Sequence, residues 1–228
     1  RPFRKRWILS YGTALELSEI TENAAKDTFV LVSTPLGATR DTTDDLLDPK
    51  RGLRTTLRVT PYVSLAGGAD LFLAVEAATS AYKSLFEERV TLAGRVRVGT
   101  IAGAATTDLP ASKRFYAGGA GSVRGYDYQK IGALDDQNDP IGGRSVIEAA
   151  AEARIRITDT IGIAPFVDVG TVADGLVPDF SERLQWAAGL GAIYQSPVGP
   201  IRLDIAVPIN GRDVDDSFEI YISIGQSF

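Results

Sequence analysis

The chain has 228 residues, 44% of them hydrophobic and 23% charged, with a net charge of −5, so it is neither a disordered polyelectrolyte nor a continuously apolar membrane bundle. It contains no Cys and no His, which removes thiolate and imidazole nucleophiles, histidine general bases and nearly all zinc chemistry. Its basic residues are scattered among acids and not gathered in a stripe, which argues against nucleic acid as a partner.

Period-two runs between turn signals predict about ten strands, at 3–18, 27–40, 52–64, 69–83, 88–103, 143–158, 161–171, 184–196, 200–208 and 217–228. No helix longer than a turn or two is expected, and no run reaches the length of an apolar transmembrane helix. The second run holds four consecutive apolar residues, Phe29-Val30-Leu31-Val32, and its facing is open. In the strand at 143–158, Glu148, Glu152, Arg154 and Arg156 share one face, with Ile147, Ala149, Ala151, Ala153, Ile155 and Ile157 on the other. In the strand at 161–171, Phe166, Asp168 and Gly170 oppose Ile161, Ile163, Val167 and Val169. Further on, Ile201, Leu203, Ile205 and Val207 alternate with Arg202, Asp204 and Ala206. At the end, Phe218, Ile220, Ile222, Ile224 and Phe228 oppose Glu219, Tyr221, Ser223 and Ser227.

Alternation alone leaves a soluble β-sandwich and an outer-membrane barrel both open. The barrel is favoured by strand lengths near the roughly 9–11 residues that a tilted spanning strand needs, and by a closing Phe. Loop asymmetry points the same way: the connections at 158–160 and 196–200 are tight, whereas those at 172–183 and 209–216 are longer and carry several Asp residues. With the short turns periplasmic, the last strand leaves Phe228 at the periplasmic rim. A chain without Met or a charged-then-apolar leader reads as an excised piece of a longer protein.

The longest connection, 104–142, exceeds a simple hairpin loop, and connections of that length are usually functional. It mixes Arg114, Phe115, Tyr116, Arg124, Tyr126 and Tyr128 with glycines that permit close backbone approach. A flexible surface loop is one reading. The other folds it inward, where Arg124 meets Glu152 and Asp168 on the lumen face, because a planar guanidinium suits carboxylates in bidentate geometry. Such a pair would act as a latch. The doublet Gly189-x-Gly191 lacks the strand-to-helix context of a nucleotide site, and no cofactor, metal or catalytic residue is expected.

Several separated motifs resemble the superfamily of outer-membrane assembly and secretion barrels that includes BamA, TamA and the two-partner secretion transporters. They are Asp48-Pro49-Lys50-Arg51-Gly52, Val123-Arg124-Gly125-Tyr126, Phe166-Val167-Asp168-Val169-Gly170 and the run from Ser196 to Asp204. Two further runs, from Arg114 to Gly119 and from Asp139 to Ser145, look most like the TamA branch. The resemblance implies a bacterial outer-membrane β-barrel of sixteen strands preceded by periplasmic POTRA domains. This chain would be its carboxy-terminal portion of about ten strands, with the first strands and the POTRA domains absent. It also implies that Arg124 is the loop tip reaching the wall acid Asp168 beside Glu152, with Val123, Gly125, Tyr126, Phe166 and Gly170 completing the latch.

On the same ground the protein is expected to be no enzyme but a machine for inserting or translocating autotransporter and other β-barrel proteins. Clients would be templated at a lateral seam lined by Phe218, Ile220, Ile222, Ile224 and Phe228. Its partners would be outer-membrane lipids, unfolded clients and a TamB-like inner-membrane-anchored protein. The alternative is a two-partner secretion channel or a passive pore. Gln226 departs from the pattern by interrupting the last apolar row.

Overall fold

The structure, a computed structural model, describes residues 7–22, 25–178, 184–197, 199–226 and 228. Among the described residues twelve strands follow one another: β1 Trp7–Tyr11, β2 Ala14–Glu22, β3 Ala25–Ser33, β4 Leu36–Asp41, β5 Arg51–Ala66, β6 Leu71–Leu85, β7 Val90–Ala102, β8 Ser145–Arg156, β9 Ile161–Ala173, β10 Gln185–Ser196, β11 Gly199–Pro208 and β12 Glu219–Ile224. The fold is all-β, as predicted, and every pairing among the described strands is antiparallel; from β4 to β12 chain neighbours pair in turn, while β1 pairs with β4 and β3 with both β2 and β5.

Twelve strands and ten predicted runs describe the same chain path, because two runs are each divided. Pro35 interrupts the second run: it has no N–H to give to a ladder, and β3 and β4 flank it. Both halves still pair with β5, β4 along Arg54–Val59 and β3 beyond Tyr62. The facing residue Gly12 separates β1 from β2 and donates its N–H to the Pro35 carbonyl at 3.1 Å, so the pairing continues across the break. The first residues of the run expected at 3–18 lie outside the described residues.

Strands β5 to β10 are 12–16 residues long. At about 3.3 Å per residue and a tilt near 45° they cover about 28–37 Å of thickness, which matches a bilayer. Apolar outward residues of these strands are uncovered, Leu53, Leu57, Leu92, Val96, Val98 and Leu190 among them, and Leu203 and Ile205 of β11 continue the exposed row. A belt of this extent is incompatible with water and fits hydrocarbon. On β10 the outward row begins with Trp186 and ends with Tyr194, placing an amphipathic ring near each margin of the belt.

The opposite, inner face is covered by the 104–142 connection. Leu109, Phe115, Ala117, Val123, Tyr126 and Ile131 of that connection form one buried cluster with Leu31 of β3, Phe72 of β6, Ile101 of β7, Val146 of β8, Val172 of β9 and Ala187 of β10. The inward positions of Leu31 and Phe29 resolve the facing of the apolar run in β3: it lies beneath this cluster.

The carboxy-terminal strand departs from expectation. Predicted over 217–228, β12 ends at Ile224, because Gly225 takes a φ of 93° and turns the chain off the sheet. Phe218, Ile220, Ile222 and Ile224 do form an exposed outer row, but Phe228 does not belong to it. Its ring lies on the inner face, 5.6 Å from the Arg95 guanidinium, 5.8 Å from that of Arg154 and 6.4 Å from the Tyr82 ring. One left-handed residue suffices to break a two-residue period. Ser227, placed on the inner row by alternation, lies outside the described residues.

Candidate functional site

The floor of the site is made of small residues in register. Asp168 on β9 stands between Ala150 of β8 and Ala187 of β10. Next along, Glu152, Phe166, Gly189 and Ala206 line up across β8, β9, β10 and β11. A Cβ on Gly189 would lie 2.3 Å from the Phe166 ring, so the aromatic occupies the space that glycine leaves.

Onto this floor the loop lowers Arg124, which is 2% exposed. Its Nε donates to Asp168 Oδ2 at 2.7 Å and its Nη2 to Asp168 Oδ1 at 2.9 Å, while its backbone N–H donates to Oδ2 at 3.1 Å. The third nitrogen, Nη1, reaches Asp204 Oδ2 at 3.1 Å and Glu152 Oε2 at 3.3 Å. Beneath the guanidinium plane lies the Phe166 ring, 3.4 Å from centroid to Cζ. Carboxylates therefore grip the edge of the cation and an aromatic face supports it, a combination that Lys could not satisfy.

The flanking loop residues are fitted as tightly. Gly125 has a φ of 93°, and a Cβ there would come within 2.9 Å of the Ala187 methyl and 3.2 Å of the Val207 carbonyl carbon. A Cβ on Gly170 of β9 would stand 2.8 Å from Val123 Cγ2, so that glycine makes room for the loop. Tyr126 places its hydroxyl 3.0 Å from the Trp186 carbonyl and 3.2 Å from Asn210 Oδ1. Every residue expected in the latch, Val123, Arg124, Gly125, Tyr126, Glu152, Phe166, Asp168 and Gly170, lies in this one neighbourhood.

Three participants were read as inner-face residues without a role. Arg202 of β11 is fully buried and spans Glu152 with both terminal nitrogens, at 3.0 and 2.9 Å, while its Nε donates to Asp204 Oδ1 at 2.6 Å. Arg154 donates its Nε to the second side of Glu152 at 2.6 Å. Three guanidiniums, of Arg124, Arg154 and Arg202, thus face three carboxylates, of Glu152, Asp168 and Asp204. This balance lets six ionised groups be buried together. Arg95 of β7, which no motif marks, donates to the Gly121 and Ser122 carbonyls at 2.7 and 2.8 Å and holds the loop backbone from the far side.

Gln226, which looked like a flaw in an apolar row, lies past the end of β12. Its Oε1 accepts from Arg202 Nη1 at 3.3 Å, and its Nε2 donates to Asp48 Oδ1 at 2.8 Å. In the turn carrying Asp48, Asp44 accepts the Lys50 and Arg51 N–H groups at 2.9 and 3.1 Å. Burial pushes its pKa up, and those backbone hydrogen bonds outweigh it, holding the carboxyl below its ordinary range. Among the described residues one acidic group, Asp127, Asp216 and Glu219, brings carboxylate oxygens within 4.8 Å of one another. Asp127 is already paired with Lys130 at 2.9 Å, and the group carries no metal assignment.

What the arrangement provides is a charged clasp between a loop and the inner face of the sheet. The sequence matches the Omp85 superfamily domain across residues 1–228. It is 32% identical over 196 residues to the outer membrane protein assembly factor BamA of Nitratidesulfovibrio vulgaris, covering 83% of this chain and 25% of that protein. To BamA of Neisseria meningitidis serogroup B it is 26% identical, covering 85% of this chain and 28% of the relative. The crystal structure of Haemophilus ducreyi BamA lacking POTRA domains 1–3 superposes with a TM-score of 0.71 at 22% identity, over 86% of this chain and 43% of that one. The chain therefore spans about a quarter of the length of these curated relatives. On the full-length family match, this chain belongs to the Omp85 superfamily.

Proposed function

We propose that the chain is the carboxy-terminal part of the barrel of a BamA-like assembly factor, which integrates unfolded outer-membrane proteins at the edge of its own sheet. Localisation in the bacterial outer membrane goes with membership and with the apolar belt, and the role is non-enzymatic. The observation that carries the reading is the Arg124–Asp168–Glu152–Asp204 clasp, which braces the wall from inside. Beside it, β12 pairs only with β11 among the described residues. Its outer edge offers unpaired backbone groups that an incoming strand can use as a template. The exposed row of Phe218, Ile220, Ile222 and Ile224 would face lipid at that seam, with missing amino-terminal strands forming the other side and POTRA domains preceding them.

A passive pore or a two-partner secretion channel is less well supported, because the loop buries Val123 and Tyr126 against the inner face where a lumen would have to stay open. The finer assignment to the TamA branch, and with it autotransporter clients and a TamB-like partner, rests on the runs from Arg114 to Gly119 and from Asp139 to Ser145. The relatives named above are BamA proteins and add no support for it.

The test is complementation by the full-length protein in a strain depleted of its own copy, scoring the amount of folded, heat-modifiable outer-membrane barrels. Arg124→Ala and Asp168→Asn are expected to lower that yield to similar degrees, and the double variant to be no worse than either. Wild-type yield with both single variants present at normal levels would overturn the proposal.

A further inference from the structure

Tyr221 of β12 bonds to the backbone of the loop tip. The outward neighbours Ile220 and Ile222 are exposed, and parity turns Tyr221 to the inner face. There its hydroxyl accepts the Gly125 N–H at 2.9 Å and donates to the Tyr126 carbonyl at 3.2 Å, so both hydrogen-bonding functions of the phenol are used on the backbone that follows Arg124. That backbone cannot drift: Gly125 is wedged against Ala187 and Val207, and Arg124 is fixed to Asp168. By contrast β12 is a weak element. It has six residues, paired with Ile201–Ala206 of β11 on one side only among the described residues. A second tie lies past its end, where Gln226 meets Arg202, which in turn holds Glu152.

We infer that Tyr221 is a positioning residue that fastens the terminal edge strand to the clasped loop, so that β12 loosens when the loop lets go of the wall. The inference rests on the function proposed above and deepens it. The loop then acts on the seam directly, through two hydrogen bonds to its last strand, and not only by stiffening the distant wall.

Amide hydrogen exchange of the full-length protein in lipid vesicles, followed over 218–226, tests this without any client. Tyr221→Phe keeps the ring and removes only the hydroxyl. It is expected to speed exchange in β12 by about five- to thirtyfold, the range for losing one or two hydrogen bonds, while β8 to β10 keep the wild-type rate. Arg124→Ala is expected to speed exchange in β12 at least as much, and adding Tyr221→Phe to it to change nothing further. A ring that merely filled space would leave Tyr221→Phe within twofold of wild type, and two independent supports would multiply their effects in the double variant; either result overturns the inference. Gln226→Leu gives the same test from the other tie, and unchanged exchange at 223–226 in that variant also counts against it. Coupled exchange accompanied by normal client insertion would leave the inference standing and overturn the proposed function.

Discussion

Replacing Asp168 by Asn changes almost no volume and removes one charge from a balanced, buried set. In the wild type, Asp168 receives three N–H groups from Arg124, two of them from the guanidinium at 2.7 and 2.9 Å. The Asn amide presents one oxygen and one NH2, so a guanidinium donor loses its acceptor and faces another donor. Glu152 and Asp204 cannot compensate, since Arg154 and Arg202 already engage them. Breaking a buried pair from one side costs ~3–5 kcal/mol. That corresponds to roughly two to three and a half decades in the equilibrium between docked and released loop, at about 1.4 kcal/mol per decade. The assay is amide exchange at Gly119 and Ile131, whose N–H groups bond within the loop to the carbonyls of Val123, Tyr126 and Ala117. Exchange there should accelerate by at least about a hundredfold, with the strand amides little changed. Acceleration below about tenfold would mean that water or another cation partner already screens the pair, and the clasp argument would fail.

Three other expectations are independent of that one. Gly125→Ala forces a β-carbon into a φ of 93° and into the Ala187 methyl, so the tip should lift and trypsin should cut after Arg124 in the variant but not in the wild type. Ile205→Arg puts a charge in the outward row of β11; at the bilayer midplane it should cost ~2–4 kcal/mol, read as a lowered urea midpoint for folding into vesicles, whereas Ala206, on the inner face, lies outside that lipid penalty. The Asp44 carboxyl has a folded pKa below its unfolded one, so its support of the 42–50 turn is complete above about pH 4, the ordinary Asp range, and is lost as pH falls through the folded value. Asp44→Asn should therefore differ from wild type in turn-amide exchange at neutral pH and converge with it in strong acid.

Much of this architecture can be read from alternation, because in a barrel the two faces of each strand meet different solvents and the residues record it. Glu152, Asp168, Arg202 and Asp204 are all inward by parity, and all four are inward in the structure. What parity does not carry is the register between strands. That Arg202 reaches across to Glu152, fifty positions away, depends on β8, β9, β10 and β11 aligning Glu152, Phe166, Gly189 and Ala206. Arg95 was invisible for a related reason: its shortest bonds go to loop carbonyls, which every residue possesses, and its ion pair with Glu148 at 3.4 Å again depends on the register between strands. Phe228 was misplaced because counting by twos assumes that each residue is extended, and Gly225 is not.

The buried cluster beneath the loop also constrains the order of assembly. Val123 and Tyr126 are enclosed by residues from strands on both sides of the insertion, and Arg124 is gripped by acids that come from β8, β9 and β11. A sheet that zipped up hairpin by hairpin and then admitted a ready-made plug would have to desolvate a lone cation through a finished rim. The chain avoids that barrier if the later strands are laid down around an insertion already resting on β8 and β9, which makes the plug a mandrel for the curvature of the wall.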